Sequence, residues 1–169
     1  VDDDVESLQR GLKLYVETFE DGWHSMMAAK LGLGSYRGEP DQQLFAETLD
    51  VMQLCETDMT LFYRRLADVP MDLPSEQVCE HLKDAYYQPE QVNDEVRGRP
   101  EGWFENYKDR LSAANIEDAN RRDQMNAVNP LYVPRNYLAQ LAIDRSEQGD
   151  HSGIMEFLEV LRDPYNEQP

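Results

Sequence analysis

The apolar residues of this chain recur at intervals of three and four almost from end to end, a period that only a helix can place on one face. Val5, Leu8, Leu12, Tyr15 and Phe19 open the pattern. It runs on through Trp23, Met27 and Leu31 and stops at Gly32, so the first helix is expected to be the longest element. Asp2 to Asp4 place carboxylates where a helix N-terminus carries partial positive charge. Gly22 marks a kink or a close packing point. A Gly-rich connector leads to a second helix with Phe45, Leu49, Met52 and Cys55 inward. Thr57 or Asp58 caps a short third helix bearing Phe62 and Leu66, and Ser75 caps a fourth with Val78, Leu82 and Ala85 inward. Residues 88–100 are polar and aperiodic and read as a surface loop. Trp103, Tyr107 and Leu111 form a fifth stripe, and residues 116–125 a short sixth helix. Pro134 fits the first turn of the next helix, from which Tyr137, Leu138, Leu141 and Ala142 point to the core. Gly149-Asp150 turns the chain into a last helix with Ile154, Phe157, Leu158 and Leu161, stopped by Pro164. Nothing alternates convincingly with period two. The expectation is an all-α, irregular multi-helix domain of about seven or eight helices over residues 1–169, ending in a helical hairpin.

Charge narrows the function classes. Sixteen basic residues against 34 acidic ones give a net charge of −18 over 169 residues. That field repels phosphate backbones and anionic membranes, which argues against nucleic-acid and membrane partners. The lack of a basic patch also argues against an unaided triphosphate site. No apolar run approaches a bilayer-spanning length. Cys55 and Cys79 lie in helical patterns without metal-ligand spacing, as expected of small buried apolar residues in a reducing cytoplasm.

The candidate chemical motifs are thin. Gly32 to Gly38 looks like a nucleotide loop, but a helix precedes it rather than a strand, so its glycines read as cap and turn residues. Arg122-Asp123 has Val128 where a kinase catalytic loop needs Asn. Asp21 and His24 stand three apart on one helical face, yet a di-metal bundle needs a second such pair and further carboxylates. Trp23, Trp103 and the tyrosines, at helical spacing, read as core. No catalytic, cofactor-binding or metal-binding residue is assigned.

Four stretches are irregular enough to identify a family: MNAVNPLYVPRNYLAQLAI at 125–143, QGDHSGIMEFLEVLRDPYNEQP at 148–169, MAAKLGL at 27–33 and DMTLFYRRL at 58–66. They resemble the C-terminal region of the SelO (YdiU) family, pseudokinase-like protein adenylyltransferases; Met59 stands where the family pattern has an aromatic residue. The resemblance implies that the whole protein moves AMP from ATP onto Ser, Thr or Tyr hydroxyls of proteins in the bacterial cytoplasm, with ATP and Mg²⁺ held upstream of this region. It implies a C-terminal helical domain, inactive alone, whose partners are the N-terminal kinase-like lobe and the protein substrates. On that view Arg135 and Asn136 are candidates for an interdomain contact, since Arg offers a fixed fork of donors and Asn can bridge backbone groups. A local ion pair and a helix-start hydrogen bond are the structural alternative. The chain opens on Val1, as expected of a cut inside a longer protein, and such a cut should expose an apolar patch near the first helix and the RNYLAQ helix. A free-standing helical interaction module is the alternative. The hairpin from Arg135 to Leu161 resembles one tetratricopeptide-type unit, but no second copy stacks on it.

Overall fold

A computed structural model describes the backbone of residues 2–168 and the side chains of residues 5–168. The Asp2 to Asp4 carboxylates lie outside the described side chains. Among the described residues there are eight α-helices and no strand; Thr57 and Tyr86 form a single isolated bridge. The helices are α1 Asp2–Lys30, α2 Glu39–Leu54, α3 Met59–Asp68, α4 Val78–His81, α5 Asp94–Ser112, α6 Asp118–Val128, α7 Asn136–Glu147 and α8 Ser152–Arg162. The all-α expectation holds, including the closing hairpin.

The core gathers where the stripes of α2 to α6 meet the C-terminal end of α1. Leu31, Phe45, Phe62, Leu66, Phe104 and Met125 are fully enclosed. Polar groups drawn inside are paired, as burial demands. The Trp103 indole N–H donates to Thr48 Oγ1 at 2.9 Å, and the Tyr107 hydroxyl donates to the Leu31 carbonyl at 2.8 Å. Burial pushes the Tyr107 hydroxyl up to about 12.

Two arginines fix the joints. Arg121, 1% exposed, donates to the carbonyls of Leu66, Ala67 and Val69 at 3.1, 3.1 and 2.8 Å. Those carbonyls lie where the bonds of α3 run out, and only Leu66 has a further partner, the Val69 amide at 3.2 Å. Arg110 Nε and Nη2 grip the wholly buried Asp41 at 2.5 and 3.0 Å, and the Arg37 amide adds a third bond at 2.7 Å. Asp41 and Arg110 thereby hold the Gly-rich connector as a fixed turn, with its Arg37 amide already committed inside the chain.

Several local expectations are corrected. Residues 94–100 belong to α5 rather than to a loop. Asn93 Oδ1 caps that helix, accepting from the Glu95 and Val96 amides at 3.0 and 3.3 Å, and Pro100 is buried inside it. Of the two cap candidates for α3, which the sequence left open, Asp58 is the one used and accepts from the Leu61 amide at 3.0 Å. Ser75 caps nothing and instead bonds Glu105; the segment beyond it is one α turn between two 3₁₀ turns. Pro134 precedes α7, whose cap position is Arg135. α1 runs on through Gly22, and a methyl group there would meet nothing within 4 Å.

Candidate functional site

The four irregular stretches are distant in sequence, and the fold brings them to one place. Arg64 Nη1, from α3, donates to the carbonyls of Asn126, Asn129 and Tyr165 at 3.3, 3.1 and 3.2 Å. Asn129 is 1% exposed and binds Lys30 twice. Its Oδ1 accepts from Lys30 Nζ at 3.1 Å, and its Nδ2 donates to the Lys30 carbonyl at 2.9 Å. The Leu131 and Tyr132 amides both donate to the Pro164 carbonyl, at 2.7 and 3.0 Å. One polar knot thus ties the end of α1, α3, the Asn-Pro turn and the C-terminal segment together. Desolvation lowers the pKa of Lys30, which also lies 5.0 Å from the Tyr63 ring centre.

Arg135 joins this knot. Its Nη2 lies 2.6 Å from Asp58 Oδ2, and Asp58 is 7% exposed and caps α3 with its other oxygen. Asn136 is not brought to the pair; it begins α7 on the exposed side. Sequence reasoning missed Arg64, Asp58 as the partner of Arg135, and Arg121. Only the tertiary fold shows which carbonyls those side chains reach.

Beyond the knot, α7 and α8 pack mainly on each other. Arg145 closes their turn, donating to Asp150 Oδ2 at 2.8 Å and Ser152 Oγ at 2.6 Å, with Glu156 at 3.4 Å. Hydrogen bonds from Ser152, then from Arg145, hold the Asp150 carboxyl down at about 2. Between the two helices lies a groove of about 470 Å³ walled by Leu138, Leu141, Phe157, Val160 and Leu161, with Arg135 and Arg145 on it. The core role expected of Tyr137, Leu138 and Leu141 is overturned: Tyr137 is 65% exposed and Leu141 58%, and Ala142 is the buried residue of α7.

The same holds, more strongly, on α1. Leu8, Leu12, Tyr15 and Phe19 are 74%, 66%, 64% and 58% exposed. Trp103 is buried and Trp23 half-buried, whereas Tyr15, Tyr87, Tyr137 and Tyr165 are open to solvent. The expected apolar patches therefore stand on α1 and on the RNYLAQ helix. Covering a large apolar side chain is worth roughly 1.5–3 kcal/mol, so faces of this size are costly to leave in water.

The other candidate groups are engaged or remote. His24 stacks flat on Tyr36 at 4.3 Å and meets Gln42 at 3.3 Å. Cys55 and Cys79 are buried free thiols whose pKa values burial raises. Among the described residues no group of three His, Cys, Asp or Glu is placed to hold a metal ion, and no helix is long and apolar enough to cross a membrane.

Comparison with known proteins locates this arrangement. The family model described as Protein adenylyltransferase SelO matches residues 3–162. The protein nucleotidyltransferase YdiU of Rhodopirellula baltica is 49% identical over 98% of this chain and 33% of its own length. Those of Tolumonas auensis and Flavobacterium johnsoniae are 42% and 39% identical, over 95% and 98% of this chain and 30% and 32% of their own. The chain spans about a third of the length of these relatives.

Proposed function

Because the chain belongs to the SelO family, we propose that it is the C-terminal helical part of a protein adenylyltransferase and braces that enzyme's catalytic lobe. The whole protein would join a Ser, Thr or Tyr hydroxyl oxygen of a protein substrate to the α-phosphorus of ATP, expelling pyrophosphate. ATP and Mg²⁺ would bind in the other two-thirds. The groups here do not suit them, since Arg64, Arg110, Arg121 and Arg135 are bound to carbonyls or carboxylates of this chain. The net charge of −18 disfavours a triphosphate further.

The observation that carries this reading is the pair of apolar faces left open on α1 and on α7–α8, in a chain one-third the length of its relatives. Such faces are what a domain shows when the surface it packs on is taken away. The knot of Arg64, Asn129 and Arg135 would then serve to hold the hairpin at a fixed angle to the body, so that both faces meet one partner. Arg135 and Asn136, at the mouth of the hairpin, would then lie near that junction, with Arg135 held by Asp58.

Calorimetric titration with Mg²⁺-ATP tests the division of labour. The chain alone is expected to release no heat of binding. A full-length chimera, with this chain replacing the matching third of the Rhodopirellula baltica relative, is expected to bind. Saturable binding by the chain alone would place the nucleotide site in these helices and overturn the reading.

A further inference from the structure

The stripe on α1 lies on the part of the helix that runs clear of the body, where every residue from Val5 to Gly22 is exposed. At about 100° per residue, Val5, Leu8, Leu12, Tyr15, Val16 and Phe19 share an arc of about 100°. The body begins only at Trp23, half-buried against Phe45, and Met27, Ala28 and Leu31 seat the C-terminal end of α1 with 3%, 2% and 0% exposure. The stripe therefore lies beyond the reach of the packing that anchors the helix. Met26, 44% exposed, continues the open face alongside the anchored turn.

The spacing of the stripe specifies what covers it. Val5, Leu8, Leu12, Tyr15 and Phe19 alternate steps of three and four, the a and d positions of a heptad. The flanking e and g positions hold Gln9, Gly11, Val16 and Thr18, none of them charged. A two-stranded coil usually carries its charge pairs there. With uncharged shoulders, a strip wider than the seam itself can be buried without desolvating an ion. The charges fall on the outer positions: Glu6, Glu17, Glu20 and Asp21 against Arg10 and Lys13.

That acidic excess selects among occupants. A second copy would bring a further net charge of −18 against the first. An anionic membrane prefers a helix with a basic polar face, and this one is acidic. The remaining two-thirds of the relatives' length supplies a partner without either penalty. Resting on the interdomain reading above, we propose that α1 lies lengthwise in an apolar groove of that remaining part, with Leu8, Leu12, Tyr15 and Phe19 buried there and its charged positions left outward.

Amide hydrogen exchange over residues 5–19 tests the proposal, in this chain alone and in the full-length chimera. Exchange is expected to be at least tenfold slower in the chimera. The double variant Leu8→Asp/Leu12→Asp alters exposed side chains, so the chain's own unfolding should not change. In the chimera it is expected to remove most of the added protection. Unslowed exchange over 5–19 with slowed exchange over α7 and α8 would overturn the proposal and leave the interdomain reading standing. No slowing anywhere would overturn both. Protection in the isolated chain that grows with its concentration would assign the stripe to a second copy, and a Leu8→Asp/Leu12→Asp chimera still fully protected would overturn the placement of the stripe in the groove. The same measurement on the Rhodopirellula baltica protein itself gives an answer that does not depend on how the chimera folds.

Discussion

Gly32 and Arg121 occupy the same few ångströms, and each limits what the other can be. Gly32 has φ +66°, and a methyl group on it would stand 2.7 Å from Arg121 Cγ and 2.9 Å from Met125 Cγ. Gly32→Ala should therefore cost about 2–4 kcal/mol, from left-handed strain plus overpacking, read as a drop in the denaturation midpoint. A loss below about 1 kcal/mol would mean that Arg121 shifts aside freely. Arg121→Met keeps the bulk but strands the Ala67 and Val69 carbonyls and takes a donor from Leu66, and should cost about 3–5 kcal/mol in the same measurement. The helix stop at Gly32 was legible in the sequence as a C-cap. Arg121 was not, because nothing local distinguishes an arginine that will satisfy another helix's last carbonyls from one that will face water.

At the scale of elements, periodicity located most helices and misjudged what faces them. The stripes of α2, α3 and α5 point to the core as read, while those of α1 and α7 are as regular and lie open. A period reports that a face is apolar, not that this chain contains its cover. The start of α5 was hidden by Pro100 and by a polar first turn; the Asn93 cap was the signal that could have shown it. The α7–α8 turn has a pH-dependence with a defined sign. Asp150 ionises at about 2 when folded, below its ordinary 3.8, so the stability it lends is fully present above about 4. It is lost as the pH falls through about 2. Protection factors of the α7 and α8 amides, referred to the intrinsic exchange rate at each pH, should therefore fall between pH 4 and 2, and Asp150→Asn should abolish that component. An identical acid response in Asp150→Asn would assign it to other carboxylates.

For the molecule as a whole, the resemblance was carried by four separate stretches, and the fold explains why they are irregular: each supplies one strand of a single knot. Arg64 needs the Asn-Pro turn and the C-terminal segment for its carbonyl partners, and Arg135 needs Asp58. That convergence is tertiary and invisible to spacing within any one stretch. Tyr137→Asp probes directly whether the open apolar surface is an interdomain face. Tyr137 is 65% exposed here, so the variant chain alone should unfold at the same temperature as the parent chain, within about 1 °C. In the full-length chimera the same change puts a carboxylate into a buried contact, worth at least about 2 kcal/mol and a fall in midpoint of several degrees. Thermal unfolding of the four proteins side by side is the measurement. A drop confined to the chimera is the predicted result; a chimera that unfolds at the same midpoint with and without the substitution would contradict the interdomain reading.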